Sequence, residues 1–273
     1  MKKLIFLLFV IAVVASGCKE KKPADYTRLG NFTPYQTYME KLNGKVESVT
    51  EKGYWAVPEG NTYIKGARLK KHEFDSIGYT YDYLARFDID GDLISCTTFD
   101  ENDNEIYSWS FSKVNNLTAR AEYKSKDTVR YHILITTDEN GNPVMYEQFN
   151  TLADTFVAKT EFKGSDINDT TVIQYFDFKG EPRGKDLRVY NERGLLTNSG
   201  NFMEDGTPGS SYILVYNDKG FQAAATFIDK DKKNEGSTSS VYEYDNMGNW
   251  VKQTCKDDRG FATIFERVYT YFK

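Results

Sequence analysis

The sequence predicts an all-β protein, built as a meander of tandem antiparallel β-hairpins whose sheet curls. Aromatic residues, which favour strands, are abundant: the 273 residues include 20 Tyr and 18 Phe. A short motif, Asp or Asn three residues before Gly, recurs along the chain. The stretches between motifs are apolar on both faces when they are read as strands. One short N-terminal helix completes the predicted fold.

The chain begins with an export signal. Met1, Lys2 and Lys3 form a short basic region, and an almost unbroken apolar run follows from residue 4 to residue 15. This run is shorter than the roughly twenty residues that a membrane-spanning helix requires. Residues 15–18 read Ala-Ser-Gly-Cys and resemble a bacterial lipobox. We therefore expect residues 1–17 to be a lipoprotein signal peptide and Cys18 to carry the lipid, with ordinary secretion and an unmodified Cys18 as the alternative.

A tether and the predicted helix follow the signal. Residues 18–33 are polar, include a Pro and a Gly, and suit a lipid-anchored flexible tether. Thr33 can cap a helix, Pro34 suits its first position, and Gln36 completes a capping box. Gly44 stands where such a helix would end. We expect this helix to cover one end of the sheet.

Residues 34–273 are predicted to form a single β-repeat domain, because the motif recurs at a regular interval. Five pairs of motif ends are twelve residues apart: 91 and 103, 141 and 153, 194 and 206, 220 and 232, and 248 and 260. A twelve-residue period leaves about four residues for a turn and about eight for a strand, roughly 27 Å long. Successive turns are therefore expected at opposite ends of the sheet.

The motif has the chemistry of a turn. Asp or Asn at its first position accepts hydrogen bonds from backbone N–H groups, and Gly at its fourth adopts positive φ without a Cβ clash. The two together favour a hairpin with a bulge. The predicted structural turn glycines are Gly78, Gly91, Gly141, Gly180, Gly194, Gly206, Gly220, Gly248 and Gly260.

The strand over residues 221–228 shows why the sheet should curl. Phe221, Ala223, Ala225 and Phe227 would share one face, yet the opposite face is also largely apolar. A flat single sheet would leave one of these faces in water. We expect a deep half-barrel, a closed barrel or two facing layers, with Tyr hydroxyls at the margins.

The motif also carries a family resemblance. The segments YDNMGNW (244–250) and TDENGNPV (137–144) resemble the YD repeats of RHS-type proteins, over roughly residues 74–273. With the export signal, the chain is similar to an RHS-like repeat lipoprotein of Gram-negative bacteria. The resemblance implies hairpins in series and an envelope location, and it carries over no catalytic residue. The chain ends on a strand-like segment, so we expect no toxin role.

Charge and cysteine content restrict the partners. The formal net charge is −5, without clustered Lys and Arg, which argues against nucleic acid as a partner. Besides Cys18 the chain has Cys96 and Cys255. Two separate buried thiols are favoured for this pair, although an exported protein could join them in a disulfide.

Two candidate metal sites are weak. The segment DIDGD (88–92) has three carboxylates, but Gly91 precedes Asp92 and Phe99 stands where an EF-hand loop has Glu, so a hairpin turn is favoured over calcium. His72 and His132 are far apart in sequence and lack the neighbouring ligands of a zinc site. We expect no metal and no cofactor.

No catalytic motif occurs, so the predicted function is non-enzymatic. The favoured hypothesis is a lipid-anchored repeat protein of the cell envelope, at the outer membrane and facing the periplasm or the surface. It would bind or scaffold a glycan or an envelope protein through exposed Tyr and through Trp55, Trp109 or Trp250. The alternative is a carrier of a hydrophobic ligand inside the curled sheet. An envelope hydrolase is a third, weaker hypothesis.

Overall fold

The computed structural model describes residues 26–30, 39–77, 81–139, 143–165, 170–231 and 234–273. These residues form nineteen strands and one short helix, α1, at Lys71–Ile77. The strands are β1 Tyr26–Gly30, β2 Met39–Asn43, β3 Val46–Glu59, β4 Thr62–Arg68, β5 Asp82–Phe87, β6 Leu93–Phe99, β7 Glu105–Asn115, β8 Thr118–Ser125, β9 Thr128–Thr137, β10 Pro143–Asn150, β11 Thr155–Ser165, β12 Thr170–Phe176, β13 Pro182–Tyr190, β14 Leu196–Met203, β15 Pro208–Tyr216, β16 Gln222–Ile228, β17 Asn234–Tyr244, β18 Trp250–Asp257 and β19 Ala262–Tyr271. The all-β prediction is confirmed. The signal peptide and Cys18 lie outside the described residues.

The strands form a meander that closes into a barrel. From β5 to β19 each strand pairs antiparallel with the next, and β19 pairs with β3 over Thr263–Tyr271. The first part of β3 pairs with β5, whereas its last part pairs with β4. Sixteen strands, β3 and β5–β19, therefore make the ring, and β4 extends β3 as a hairpin. Of the three forms that the sequence allowed, the sheet adopts the closed barrel.

The predicted N-terminal helix is wrong where the structure describes it. Residues 39–43 form strand β2, and 31–38 lie outside the described residues. β2 pairs with β1, which falls within the segment predicted as tether. Leu42 is buried in the hydrophobic core, and a strand places it there. The capping pattern at Thr33 and Gln36 lies outside the described residues.

The helix lies instead at a predicted turn. The motif FDSIG spans residues 74–78, and its first four residues belong to α1; Gly78 lies outside the described residues. Glu73 Oε2 accepts the backbone N–H of Lys70 at 2.6 Å, which caps the first turn. Phe74 is buried, at 1% exposure. Capping by Glu73 and burial of Phe74 therefore give a helix here.

The other quartets are hairpin turns in the described residues. At 88–92, Asp88 Oδ1 accepts the N–H groups of Asp90 and Asp92, and the N–H of Gly91 bonds to Asp88 O at 3.0 Å. The same arrangement recurs with Asp177, Asn191, Asn217, Asp245 and Asp257 as the first residue. Positive φ occurs at Gly91, Gly180, Gly194, Gly206, Gly220, Gly248 and Gly260. Gly141 lies outside the described residues. At Asp103 (φ 62°) an aspartate takes the glycine's place.

Candidate functional site

The candidate site is the interior of the barrel, which we call the lumen. Side chains alternate across each strand, so the pairing registers assign every residue to one of two faces. Val49 pairs with Ala85, Ala85 with Cys96, and Cys96 with Trp109. All four are at most 3% exposed. The face that they share is therefore the inward face.

The outward face carries ion pairs. Arg120 pairs with Glu122 at 2.8 Å on β8, and Lys159 pairs with Glu161 at 2.8 Å on β11. These residues alternate with inward-facing Ala121 and Thr160, both buried. Apolar side chains are also exposed on the outward face, among them Val215, Val241 and Val268.

One part of the inward face is strongly aromatic. On β7, β8 and β9, the rings of Tyr123 and Tyr131 stack with centroids 4.5 Å apart. Trp109 meets Tyr123 edge-on at 5.2 Å. The neighbouring strands continue this surface with Tyr146 and Phe162, whose centroids are 4.7 Å apart. We call these inward residues of β5–β12 the aromatic wall.

The rest of the inward face has smaller and more polar side chains in its middle, with aromatic rings towards the ends of the strands. The inward positions of β13–β18 include Ser199, Asn201, Ala223, Ala225, Thr238 and Ser240. We call this surface the polar wall. Two of its larger side chains, Met203 and Tyr212, are 54% and 48% exposed although they face inward. The inward face is therefore exposed to solvent at these two residues of β14 and β15.

The two ends of the barrel differ. At one end the aromatic residue before each turn faces inward, as Phe87, Tyr190, Tyr216 and Tyr244 do. Asn249, fully buried, also bonds to the backbone of Asn43 there, which holds the β2–β3 connection over this end. At the opposite end Phe99, Phe176 and Ile228, which precede turns, face outward, whereas Met203 faces inward. Aromatic rings that precede turns therefore point inward at the first end.

Helix α1 partly fills the second end. Leu69 and Phe74 pack on the inward face of Gly53, and a Cβ on that glycine would lie 2.9 Å from the Phe74 ring. Trp55 Nε1 donates a hydrogen bond to Glu73 Oε1 at 3.0 Å. We call Leu69 and α1 the plug. Leu69 and Phe74 belong to one hydrophobic cluster with Trp250 on β18 and Phe265 on β19, and the Phe74 ring meets Tyr81 edge-on at 5.9 Å.

The lumen contains two sets of charges. Arg267 Nε donates to Glu51 Oε2 at 2.7 Å, and the guanidinium lies 3.7 Å from the centroid of the Trp250 ring. On β13, Asp186 and Arg188 share the inward face, and the Tyr175 hydroxyl donates to Asp186 at 2.7 Å. Arg188 is only 8% exposed. No sequence motif indicated Glu51, Arg267, Asp186 or Arg188; the alternation of faces was the only signal for these charged residues.

The predicted candidate residues do not converge on a site. Cys96 and Cys255 are buried and are not joined in a disulfide, in agreement with two separate thiols. His132 faces outward, where it stacks on Phe149 at 5.1 Å, and burial lowers its pKa. His72 is exposed on α1. In the part of the chain that the structure describes, no three His, Cys, Asp or Glu side chains are placed to share a metal.

Other sequence candidates have structural positions. The segment DIDGD is the hairpin turn between β5 and β6, and its Asp92 pairs with Lys113 at 2.5 Å. Trp109 and Trp250 are 3% and 4% exposed. They are therefore wall residues of the barrel, not outward platforms for a sugar. Within the described ranges, no helix has both the length and the apolar character to cross a membrane.

Comparison with known proteins supports the fold alone. No protein-family model and no curated protein matches the chain. The chain is similar to the structure of a porin-like protein from Bacteroides uniformis, with a TM-score of 0.54 and 8% identity over 82% of this chain and 96% of that one. A porin-like protein from Bacteroides vulgatus gives a TM-score of 0.46 and 11% identity over 83% and 98%. A putative outer membrane lipoprotein-sorting protein domain from Vibrio parahaemolyticus gives a TM-score of 0.25 and 8% identity, over 82% of this chain and 86% of that one.

These findings correct the family resemblance. The predicted relation to RHS-type YD repeats is wrong, because the hairpins close into a single barrel whose fold is shared with a porin-like protein. The motif that suggested the relation follows from turn geometry: Asp accepts backbone N–H groups and Gly adopts positive φ in any such hairpin. At 8% identity the similarity says nothing about ligand or partner.

Proposed function

We propose that the protein is a carrier that holds a hydrophobic ligand in the lumen of its barrel. The observation that carries this proposal is the arrangement of the two faces: aromatic residues line the inside, and ion pairs line the outside. A barrel of about eight strands is just filled by its own side chains, whereas one of about sixteen leaves space. The inward face of β5–β12 is largely apolar, which favours an apolar ligand.

The same arrangement distinguishes this barrel from a transmembrane channel. A transmembrane barrel has an apolar outer band and a polar interior. Here Trp109, Tyr131 and Phe162 face inward, while Arg120 and Lys159 face outward. The likeness to a porin-like protein therefore concerns the backbone, and the inward aromatic residues and outward ion pairs favour a barrel that keeps its aromatic surface inside.

The carrier is better supported than the binding or scaffolding module that the sequence first suggested. That hypothesis depended on outward-facing aromatic residues, and Trp109 and Trp250 are buried. A carrier needs no catalytic group, which agrees with the prediction that the protein is not an enzyme. Its place in the cell envelope, held through Cys18, rests on the export signal.

Two adjacent alanines on β16 provide the test. Ala225 faces inward between Leu214 and Thr238, and Ala224 faces outward between Val215 and Ser239. A Trp at position 225 would fill part of the lumen, whereas a Trp at position 224 would add a ring to the surface. The probe is cis-parinarate, a fatty acid that fluoresces when it enters an apolar site.

We expect the wild-type protein and Ala224→Trp to bind the probe alike, and Ala225→Trp to bind it at least about tenfold more weakly. Circular dichroism and thermal unfolding would show whether both variants keep the fold. Equal binding by the two folded variants, or no binding by the wild-type protein, would contradict the carrier. Mass spectrometry of gently purified protein should also reveal a co-purified apolar molecule.

A further inference from the structure

Solvent reaches the inward face on β14 and β15. Tyr212 faces inward on β15 and is 48% exposed, and Asn201 on β14 is also inward and exposed. On the aromatic wall, by contrast, Trp109 is only 3% exposed and Ile133 is fully buried. Inward side chains that contact water border space in the lumen, and a ligand can occupy that space.

An aromatic pair forms one surface of this region. The rings of Tyr212 and Phe227 lie with centroids 5.0 Å apart, and the two residues are register partners on β15 and β16. Because Tyr212 remains about half exposed, its ring presents an aromatic surface to the lumen. An aromatic ring packs against the C–H groups of a ligand without requiring the ligand to be charged.

Polar groups lie beside this aromatic pair. Ser199 is the register partner of Tyr212, and Asn201 is the next inward residue of β14. Asp186 on β13 is the register partner of Asn201 and shares its face. The Asp186 carboxylate accepts the Tyr175 hydroxyl at 2.7 Å, and a carboxylate has about four acceptor positions. Amide, hydroxyl and carboxylate side chains together can donate to and accept from the hydroxyl groups of a ligand.

We call Asp186, Ser199, Asn201 and Tyr212 the β13–β15 cluster. The inward residues of β13–β16 all lie in the described part of the chain, and those with a charge are Asp186 and Arg188, which have opposite signs. The cluster therefore lies in a region without net charge. An ionic headgroup would lose its hydration there without a surplus of opposite charge to balance it. An uncharged headgroup with several hydroxyl groups would find hydrogen-bond partners.

From this arrangement we infer that the ligand is a neutral amphiphile: a hydrocarbon chain that lies on the aromatic wall, with a headgroup of vicinal hydroxyl groups, a sugar or a glycerol, held at the β13–β15 cluster. This inference rests on the proposed carrier function and specifies the class of ligand. Tyr175 belongs to the aromatic wall and its hydroxyl contacts Asp186, so the two surfaces are continuous. One molecule can therefore contact both.

The test compares three ligands whose chains have the same twelve carbons: dodecyl glucoside, monododecanoylglycerol and dodecanol. Each would displace the neutral fluorophore N-phenyl-1-naphthylamine from the protein, at concentrations below those at which micelles form. The measured quantity is the affinity of each of the two polyol ligands, the glucoside and the glycerol ester, relative to dodecanol. Because this is a ratio, a general effect of a substitution on binding of the chain cancels.

Two asparagines on β14 provide the matched variants. Asn201 faces the lumen, whereas Asn198, the register partner of Val189 and Ile213, faces outward, and both asparagines are exposed. We expect the wild-type protein and Asn198→Ala to prefer the polyol ligands by about tenfold, and Asn201→Ala to reduce this preference at least about threefold. Tyr212→Leu should reduce it as well, whereas Tyr212→Phe, which keeps the ring, should retain most of it.

A wild-type protein that binds dodecanol as tightly as both polyol ligands would overturn the inference and leave the carrier intact. A preference that persists unchanged in Asn201→Ala and Tyr212→Leu, or that falls equally in Asn198→Ala, would also overturn it. Failure of all three ligands to displace the fluorophore would overturn both proposals. Preference for only the glucoside or only the glycerol ester supports the inference and identifies the headgroup.

Discussion

Glu51 on β3 and Arg267 on β19 form a buried ion pair at the seam, the pairing between the first and last strands of the barrel. Arg267 Nε lies 2.7 Å from Glu51 Oε2. The Arg267 side chain is 6% exposed and the Glu51 side chain is 11% exposed. The residues are also register partners, so the pair spans the β19–β3 pairing that closes the ring. Stacking of Arg267 on Trp250 adds a second contact to the guanidinium.

Removing one member of this pair should lower the stability of the folded protein. Glu51→Gln leaves the buried guanidinium of Arg267 without its counter-charge, and we expect a loss of about 3 kcal/mol in the free energy of unfolding. Urea denaturation, monitored by tryptophan fluorescence, measures this free energy of unfolding. The control is Glu266→Gln, which removes the exposed pair with Lys65 (2.7 Å) on the outward face and should cost less than about 1 kcal/mol. Similar losses in the two variants would contradict the assigned role of the seam.

The turn glycines should differ from strand glycines in their tolerance of alanine. Gly194 has φ of 72° and no atom within 4 Å of an added Cβ, so Gly194→Ala tests conformation alone. We expect it to cost about 1–2 kcal/mol. Gly164 also has open space around its Cβ position but no positive φ. Gly164→Ala should therefore be neutral or stabilise by up to about 1 kcal/mol. Thermal unfolding of both variants measures the difference, and equal effects would show that φ is not the cause.

Acid should weaken the contacts of Arg68. Hydrogen bonds from Arg68 and Lys52 lower the pKa of Asp103 to about 2. The ordinary value is about 3.9, so the ionised group contributes stability above about pH 4 that is lost as the pH falls towards 2. We expect Asp103→Asn to be less stable than the wild-type protein at pH 6 and to lose less stability between pH 4 and 2. Solvent reduces the effect, because the Asp103 side chain is 59% exposed.

Two comparisons make the acid experiment specific. Asp231→Asn changes an exposed carboxylate that lies away from Arg68, and it should leave the acid limb of a melting-temperature profile as in the wild-type protein. Asp82, the other partner of Arg68, works in the opposite direction, because burial raises its pKa. If the melting temperature of Asp103→Asn falls with acid as steeply as that of the wild-type protein, the Arg68 contacts do not control the acid dependence of stability.

The plug should open without unfolding the barrel. Phe74 is the buried anchor of α1 and packs on Gly53. Phe74→Ala removes that contact, and we expect hydrogen exchange in residues 71–77 to become at least about tenfold faster because the helix opens locally. Exchange in β8 and β9 should stay slow. The control, His72→Ala, changes an exposed residue of the same helix. Faster exchange throughout the barrel would show that the plug is part of the global fold.

The strands and turns were accessible from the sequence because their causes are local. Asp177 and Gly180 determine a turn through hydrogen bonds and φ within five residues. Alternation of apolar residues then gives the strands between turns. The form of the sheet was not determined by these rules, since closure depends on Thr263–Tyr271 meeting β3 from the far end of the chain.

The errors have the same origin. The Thr-x-x-Gln pattern at Thr33 and Gln36 favoured a helix, but Leu42 finds its burial as part of a strand. The segment FDSIG matches the turn motif, but it lies in a helix whose Phe74 packs on Gly53, a residue twenty-one positions away. Arg188 and Arg267 could not be recognised as inward-facing until the pairing registers were known.

The closed ring also determines how other molecules can approach. Each of its sixteen strands has a neighbour on both sides, so the ring exposes no row of unpaired backbone donors and acceptors. A passing peptide therefore has no template along the ring on which to extend the sheet; β4 and the β1–β2 pair lie outside the ring. Any molecule that enters the lumen would pass through an end of the barrel and not between two paired strands.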